Sequence, residues 1–283
     1  MAIILDGKML SSKFREKIKT ETSALKEKTG KIPGIAVILA GDDAASSVYV
    51  NSKEKAAIEC GFYSIVNRVS SSVTTEDILK LVEEYNNDDK IHGILVQLPL
   101  PEKCDEKTIL RAIKPEKDVD GFHPYNVGLL NIGEDCLMPC TPFGVMNMLA
   151  DYDIEISEKN AVIIGRSNIV GKPIAAMRLK ANATVTVCHS KTRDLPNVSA
   201  NADILVAAIG KPKFVTKEFV KDGAVVIDVG INRVDGKLCG DVDFEDVKDK
   251  CSYITPVPGG VGPMTITTLM ENTLKAFKFI EKI

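Results

Sequence analysis

The chain has 283 residues, 45% of them hydrophobic, with a formal net charge of −3 and a sequence pI near 5.8. That length suits two ordinary domains or one large one, and the composition suits a packed globular core. The mildly acidic balance argues against a nucleic-acid partner, which favours a basic face. No window approaches the roughly 20 apolar residues of a membrane helix, so no membrane association is expected.

The opening MAIILDGKMLSSKFREK has one short apolar run followed by charges, unlike a signal peptide, so a cytoplasmic location is the expectation. A helix is predicted over 8–29, then a strand over 35–40 (IAVILA) and a helix over 46–60. A strand over 63–69 (YSIVNRV), a helix over 75–87 and a strand over 93–98 (GILVQL) follow. Residues 114–142, KPEKDVDGFHPYNVGLLNIGEDCLMPCTP, show little periodicity and several Gly and Pro residues. They read as a long ordered loop, and such loops are often functional. Beyond a domain boundary near residue 140 come a helix over 141–152 and a strand over 161–165 (AVIIG). A helix over 170–180 leads to strands over 183–188, 203–210 and 224–230.

The strands are near-continuous apolar runs, the pattern of parallel strands covered on both faces. The fold class is therefore α/β, built from βαβ units. In the last helix, over 263–283, Ile266, Leu269, Met270, Leu274, Phe277 and Ile280 make an apolar stripe. It is expected to dock back on the first domain and close the cleft between the two. The domains are thus 1–140 with 263–283, and 141–262. The seven cysteines form no CxxC pair, and His92, His123 and His189 lie far apart. Neither a disulfide framework nor a metal site is expected.

The strand AVIIG runs into GRSNIVGKP and then a helix. Glycines at such a turn let backbone N–H groups approach a phosphate, and the helix N-terminus favours its charge. The loop is not a P-loop, because five residues separate Gly165 from Gly171 and Pro173 stands where Ser or Thr should bind magnesium. Taken alone it is either a dinucleotide loop or a plain tight turn. The next strand ends in ATVTVCHSKTR, with no acid to bind the ribose hydroxyls of NAD. Ser190, Lys191 and Arg193 stand there, and Arg166 could reach the same place. Cations and a hydroxyl suit the extra 2′-phosphate of NADP, although a solvated basic turn looks the same. The turns AAIGKP (207–212) and DVGIN (228–232) also follow apolar strands. Ile231 could lie against a nicotinamide, but each turn by itself could be an ordinary connection.

In the first domain, ASSVYVNSKEKAAIECGF places Tyr49 and Lys53 four residues apart on one helix face. Ala56, Ala57 and Cys60 share that face, whereas Lys55 points elsewhere. A lysine needs desolvation to act as a base near neutral pH, and a half-dry site beside an aromatic ring supplies it. The competing view is a lysine that only snorkels past the core edge. Gln97 interrupts the apolar strand ILVQLPLP and must find partners there. Asp118 and Asp120 stand beside Gly121 in KDVDGF, and PVPGGVGPMT (256–265) joins rigid prolines to close-packing glycines.

Together SSVYVNSKEK, GILVQLPLP, KDVDGF, GRSNIVGKP and PVPGGVGPMT resemble the bifunctional methylenetetrahydrofolate dehydrogenase/methenyltetrahydrofolate cyclohydrolase family, in order and over essentially the whole chain. The resemblance implies a folate-binding catalytic domain and a Rossmann-like NADP-binding domain. It implies that Tyr49 stacks on the aminobenzoyl group, that Lys53 is the acid/base tuned by Gln97, and that Asp120 anchors the pterin. It further implies a folate wall of Val96, Gln97 and Leu98 with Pro256, Val257, Pro258, Gly259, Gly260, Val261, Gly262, Pro263 and Met264. Gly165, Arg166, Ser167, Ser190 and Ile231 are implied to bind NADP, in a homodimer formed through the cofactor domain. The implied role is one-carbon tetrahydrofolate interconversion, which feeds purine biosynthesis. Two rivals remain: an NADP dehydrogenase of a hydroxy or amino acid, without folate affinity, and a silent nucleotide-binding scaffold.

Overall fold

The computed structural model describes residues 2–283. In chain order the elements are β1 (Ile3–Ile4), α1 (Gly7–Thr29), β2 (Gly34–Ala40), α2 (Ala44–Glu59), β3 (Tyr63–Val69), α3 (Thr75–Asn87) and β4 (Gly93–Val96). Next come α4 (Glu106–Ala112), α5 (Pro124–Ile132), α6 (Cys140–Asp151), β5 (Asn160–Ile164), α7 (Gly171–Lys180) and β6 (Thr184–Cys188). The chain ends with α8 (Leu195–Ser199), β7 (Ile204–Ala207), β8 (Val225–Asp228), β9 (Asn232–Val234), β10 (Lys237–Cys239), α9 (Phe244–Val247), β11 (Tyr253–Ile254) and α10 (Val261–Glu281).

Two compact units result. One holds Ser12–Leu129, Asp135–Cys140 and Ile266–Ile283. Its sheet is parallel, in the order β3-β2-β4. Every residue of β2 is buried because its two faces serve two apolar layers, as the period of two requires. Ile35, Val37 and Leu39 pack with Val50, Ala56 and Ala57 of α2 and with Leu269, Met270, Leu274 and Phe277 of α10. Ala36, Ile38 and Ala40 pack with Ile78, Val82 and Tyr85 of α3 and Ile109 of α4. The apolar stripe of α10 therefore does complete the core of this unit.

The other unit holds the described residues up to Ser11, Leu130–Glu134 and Thr141–Thr265. Its six strands are all parallel, in the order β1-β11-β8-β7-β5-β6. Strand β5 lies between β6 and β7, so the chain reverses direction across the sheet there, where open α/β sheets bind ligands. The fold class agrees with the sequence expectation, but several placements differ, since Leu130–Glu134 and residues 263–265 belong to this unit and not to the first. The N-terminal residues join the second unit, because Ile3 and Ile4 pair with Tyr253 and Ile254 at its edge. Segment 114–142 is not one loop. It contains α5, which begins at Pro124, a residue whose missing N–H costs nothing at the first helical position.

Candidate active site

Helix α2 begins at Asp43, whose side chain accepts a hydrogen bond from Ser46 N at 2.7 Å. From that cap the helix turns Val50, Lys53, Ala56 and Ala57 inward and leaves Lys55 in solvent. Lys53 is only 7% exposed, and its amine donates to Gln97 Oε1 at 2.9 Å. It lies 5.9 Å from the centre of the Tyr49 ring, within cation–π range. Burial raises the pKa of the Tyr49 hydroxyl above its ordinary value, so the ring enters as a neutral phenol. Gln97 follows β4 directly. Its backbone N–H bonds Ile38 O at 2.9 Å, and its side-chain amide donates to Leu98 O at 2.7 Å. With the NH2 group spent on Leu98, the carbonyl oxygen is left to face the lysine.

The two aspartates of KDVDGF play different parts. Asp118 is buried and accepts from Phe122 N (3.2 Å), His123 N (2.8 Å) and Asn126 Nδ2 (2.9 Å). It anchors the start of α5, and burial pushes its carboxyl up to about 7. Asp120 is half-buried. Burial raises its carboxyl too, opposed by the Lys53 charge and by a hydrogen bond with Cys140. Gly121, directly after Asp120, has φ +70°, and a Cβ there would stand 2.5 Å from Met138 C, so only glycine lets the two loops meet.

Cys140 and Asn272 were not among the sequence candidates. The Cys140 thiol donates to Val119 O at 3.2 Å, and burial holds it protonated. Asn272, 1% exposed on α10, donates to Val119 O (2.8 Å) and Met138 O (2.7 Å). One amide thus ties together the two loops that carry Asp120 and Cys140. A polar residue inside the apolar stripe LMENTL was the available signal, as Gln97 was in its strand. The Val96 side chain, by contrast, lies in the core layer with α3 and α4 rather than on a surface.

In the other unit, β5 enters Gly165 at φ +126°, and a Cβ there would stand 2.2 Å from Ala208 O. A Cβ on Gly171 would stand 2.2 Å from Gly165 O. Both positions require glycine for close packing of the turn. Ser167 Oγ accepts from Val170 N (3.1 Å) and Gly171 N (3.3 Å), shaping the approach to α7. Arg166, Ser167, Ser190, Lys191 and Arg193 are exposed, and no carboxylate lies between Cys188 and Arg193. A glycine turn before a helix, flanked by free cations, fits a dinucleotide carrying an extra phosphate. Ile231 is 50% exposed. In the segment 256–264, Gly260 N bonds Pro256 O at 2.9 Å and Gly259 has φ +106°. Val261 and Met264 are buried there, while Pro256, Val257, Gly262 and Pro263 are half-buried and Pro258 is exposed.

Family models of the tetrahydrofolate dehydrogenase/cyclohydrolase catalytic domain and NAD(P)-binding domain match residues 5–120 and 139–281. The chain belongs to the tetrahydrofolate dehydrogenase/cyclohydrolase family. The bifunctional protein FolD of Streptococcus pneumoniae is 58% identical to it, over 98% of this chain and 97% of the relative. The bifunctional FolD dehydrogenase/cyclohydrolase of Campylobacter jejuni is 52% identical, with a TM-score of 0.96 and 99% of each chain covered. The Trypanosoma brucei dehydrogenase-cyclohydrolase, solved with NADP and an inhibitor, is 39% identical, with a TM-score of 0.96 over 100% of this chain and 99% of that one. The family boundaries differ from the compact units at both ends: the catalytic match begins at residue 5, within the stretch up to Ser11 that joins the cofactor unit, and the NAD(P)-binding match runs into α10, most of which packs with the lysine-bearing unit.

Proposed function

We propose that Lys53, Tyr49, Gln97 and Asp120 form the folate-binding catalytic centre of this bifunctional enzyme, and that Gly165, Arg166, Ser167, Ser190 and Ile231 bind its cofactor. The enzyme oxidises 5,10-methylenetetrahydrofolate to 5,10-methenyltetrahydrofolate with NADP, then hydrolyses the product to 10-formyltetrahydrofolate. The observation that carries the assignment of the centre is the buried Lys53 amine, fixed by Gln97 beside the Tyr49 ring.

NADP, held by the turn at Gly165 with Arg166, Ser167, Ser190 and Ile231, would supply the acceptor for the hydride that leaves the carbon bridging N5 and N10. The positive charge left on the folate is shared by those two nitrogens, so this step depends on orientation more than on a base. Tyr49 supplies a flat surface for the aminobenzoyl group, and Asp120 offers a carboxylate to the amino-amide edge of the pterin. Gln97 and Leu98 contribute polar and apolar wall beside them.

Hydrolysis asks more of the protein. Water adds to the bridging carbon as its proton passes to Lys53 in the uncharged amine form, and the ammonium so formed holds a proton for N5. The new hydroxyl then loses its proton as the bond from carbon to N5 breaks, and N5 is protonated. One proton leaves to solvent overall. A positioned acid/base contributes typically 10²–10⁴-fold to such a step.

An absorbance assay tests the function directly. Methylenetetrahydrofolate with NADP should give NADPH, and methenyltetrahydrofolate alone should decay without any cofactor. Absence of both reactions at micromolar enzyme would leave one of the two rival functions standing. For the cofactor, Arg166→Ala should raise the KM for NADP about tenfold more than that for NAD, since a charge-assisted hydrogen bond contributes about 1.5–3 kcal/mol. An unchanged preference would remove Arg166 from the 2′-phosphate site.

The assembly we infer is a homodimer through the cofactor domain. Strand β6 ends the six-stranded sheet, and Val187 on it is 37% exposed beside Leu179 at 66%. An uncovered edge with apolar side chains is suited to pairing with a second copy. We place the enzyme in the cytoplasm, and no helix among the described residues is long and apolar enough to cross a membrane.

A further inference from the structure

Three neighbouring strands of the larger sheet, β8, β7 and β5, end in turns on the side where the glycine loop lies. Asp241, just beyond β10, is fully buried, and its carboxylate gathers those turns. It accepts from three successive backbone N–H groups after β7: Ile209 (2.7 Å), Gly210 (3.0 Å) and Lys211 (2.8 Å). A fourth bond comes from Asn232 Nδ2 at 2.9 Å, next to Ile231 in the turn after β8. The glycine loop after β5 rests on the same structure, through the close approach of Gly165 to Ala208 O.

Asp241 is itself held. Its backbone N–H bonds Asp228 Oδ1 at 2.9 Å, and Asp228 also accepts from Gly230 N (3.0 Å) and Val242 N (2.9 Å). The packing is tight enough to dictate composition nearby. A Cβ on Gly230 would stand 2.2 Å from Asp241 Cγ, and one on Gly240 would stand 1.8 Å from Asp228 Oδ2. Without a carboxylate at 241, three consecutive N–H groups would lose their acceptor, and the turn would relax to find water.

We propose that Asp241 is a positioning residue for the dehydrogenase reaction, holding the turns after β7 and β8 in the shape that receives NADP. This rests on the reading that NADP binds at the glycine loop of this unit. Asp241 touches neither cofactor nor folate in this scheme; it acts through the backbone of residues 209–211 and through Asn232.

The two activities of one chain provide the test, because hydrolysis of methenyltetrahydrofolate consumes no cofactor. Asp241→Asn keeps the volume but replaces one acceptor oxygen by a donor facing N–H groups. The expected result is a KM for NADP raised about tenfold or more, with cyclohydrolase activity within twofold of wild type. An unchanged KM for NADP, or equal loss of both activities, would overturn the proposal. If Asp241→Asn does not fold, Asn232→Ala removes one of the four bonds, and a rise of several-fold in the same constant is expected; no rise overturns the proposal. Ile231→Ala tests the nicotinamide contact separately. If it leaves the nicotinamide step untouched while Asp241→Asn still weakens NADP, the contact assigned to Ile231 is wrong and the positioning role stands.

Discussion

Lys53→Met is expected to lower the hydrolysis of methenyltetrahydrofolate by about 10³-fold and to leave the dehydrogenase rate within about tenfold of wild type. Methionine matches the length of the lysine stem at a position only 7% exposed, but it can neither take a proton from water nor return one. Hydride departure needs no such transfer. Its remaining loss should come from Gln97, whose carbonyl oxygen would then lack the donor it meets at 2.9 Å. An unsatisfied acceptor there costs about 1–3 kcal/mol, enough to loosen the wall but not to stop an orientation-limited step. Two absorbance assays on one preparation, with NADP binding titrated as a control, separate the rates. Equal loss of both activities would mean that Lys53 orients the folate and is not the proton carrier.

How much of this centre could be read from the sequence depends on distance along the chain. Tyr49 and Lys53 share a helix face by spacing alone, and the structure turns that face inward while Lys55 stays out. Gln97 was visible as a polar residue in an apolar strand, but its partner was not, since Lys53 lies 44 residues away. Cys140 and Asn272 fall in the same class. Their partners at Val119 and Met138 are brought together only by the tertiary fold.

The fold followed a similar rule. The long apolar strands were legible because burial on both faces leaves continuous runs, as β2 does. Strands β1 and β11 have two residues each and carry no period to detect. Helix α5, PYNVGLLNI, hid behind a proline and a central glycine that lowers its intrinsic propensity. Its anchor is the buried Asp118, a tertiary contact and not a local signal.

Arg178→Met is expected to stabilise the protein, and the reason is a cost that the fold carries without visible function. Arg178 lies in the last turn of α7, is 0% exposed, and its three guanidinium nitrogens have no hydrogen-bond partner among the described residues. Burial alone depresses its pKa from the ordinary guanidinium range to about 10. An uncompensated buried charge destabilises a fold by about 3–5 kcal/mol, and this guanidinium is charged near neutral pH. A cation at a helix C-terminus recovers about 0.3–1 kcal/mol from the helix dipole, which does not close the gap. Methionine keeps the unbranched length and removes the charge, so most of the cost should disappear. A melting temperature higher by about 5–10 °C is expected, with the KM for NADP unchanged, because the helix N-terminus that faces the glycine loop is untouched. The sign of the pH dependence is fixed as well. The folded state holds this proton less tightly than the unfolded state, so the penalty is complete below pH about 10 and fades as the pH rises above it. The gap between wild type and variant should therefore be constant through the neutral range and narrow only in strong alkali. A variant no more stable than wild type at pH 7 would mean that the guanidinium meets an acceptor after all, and that its burial is offset within the native fold.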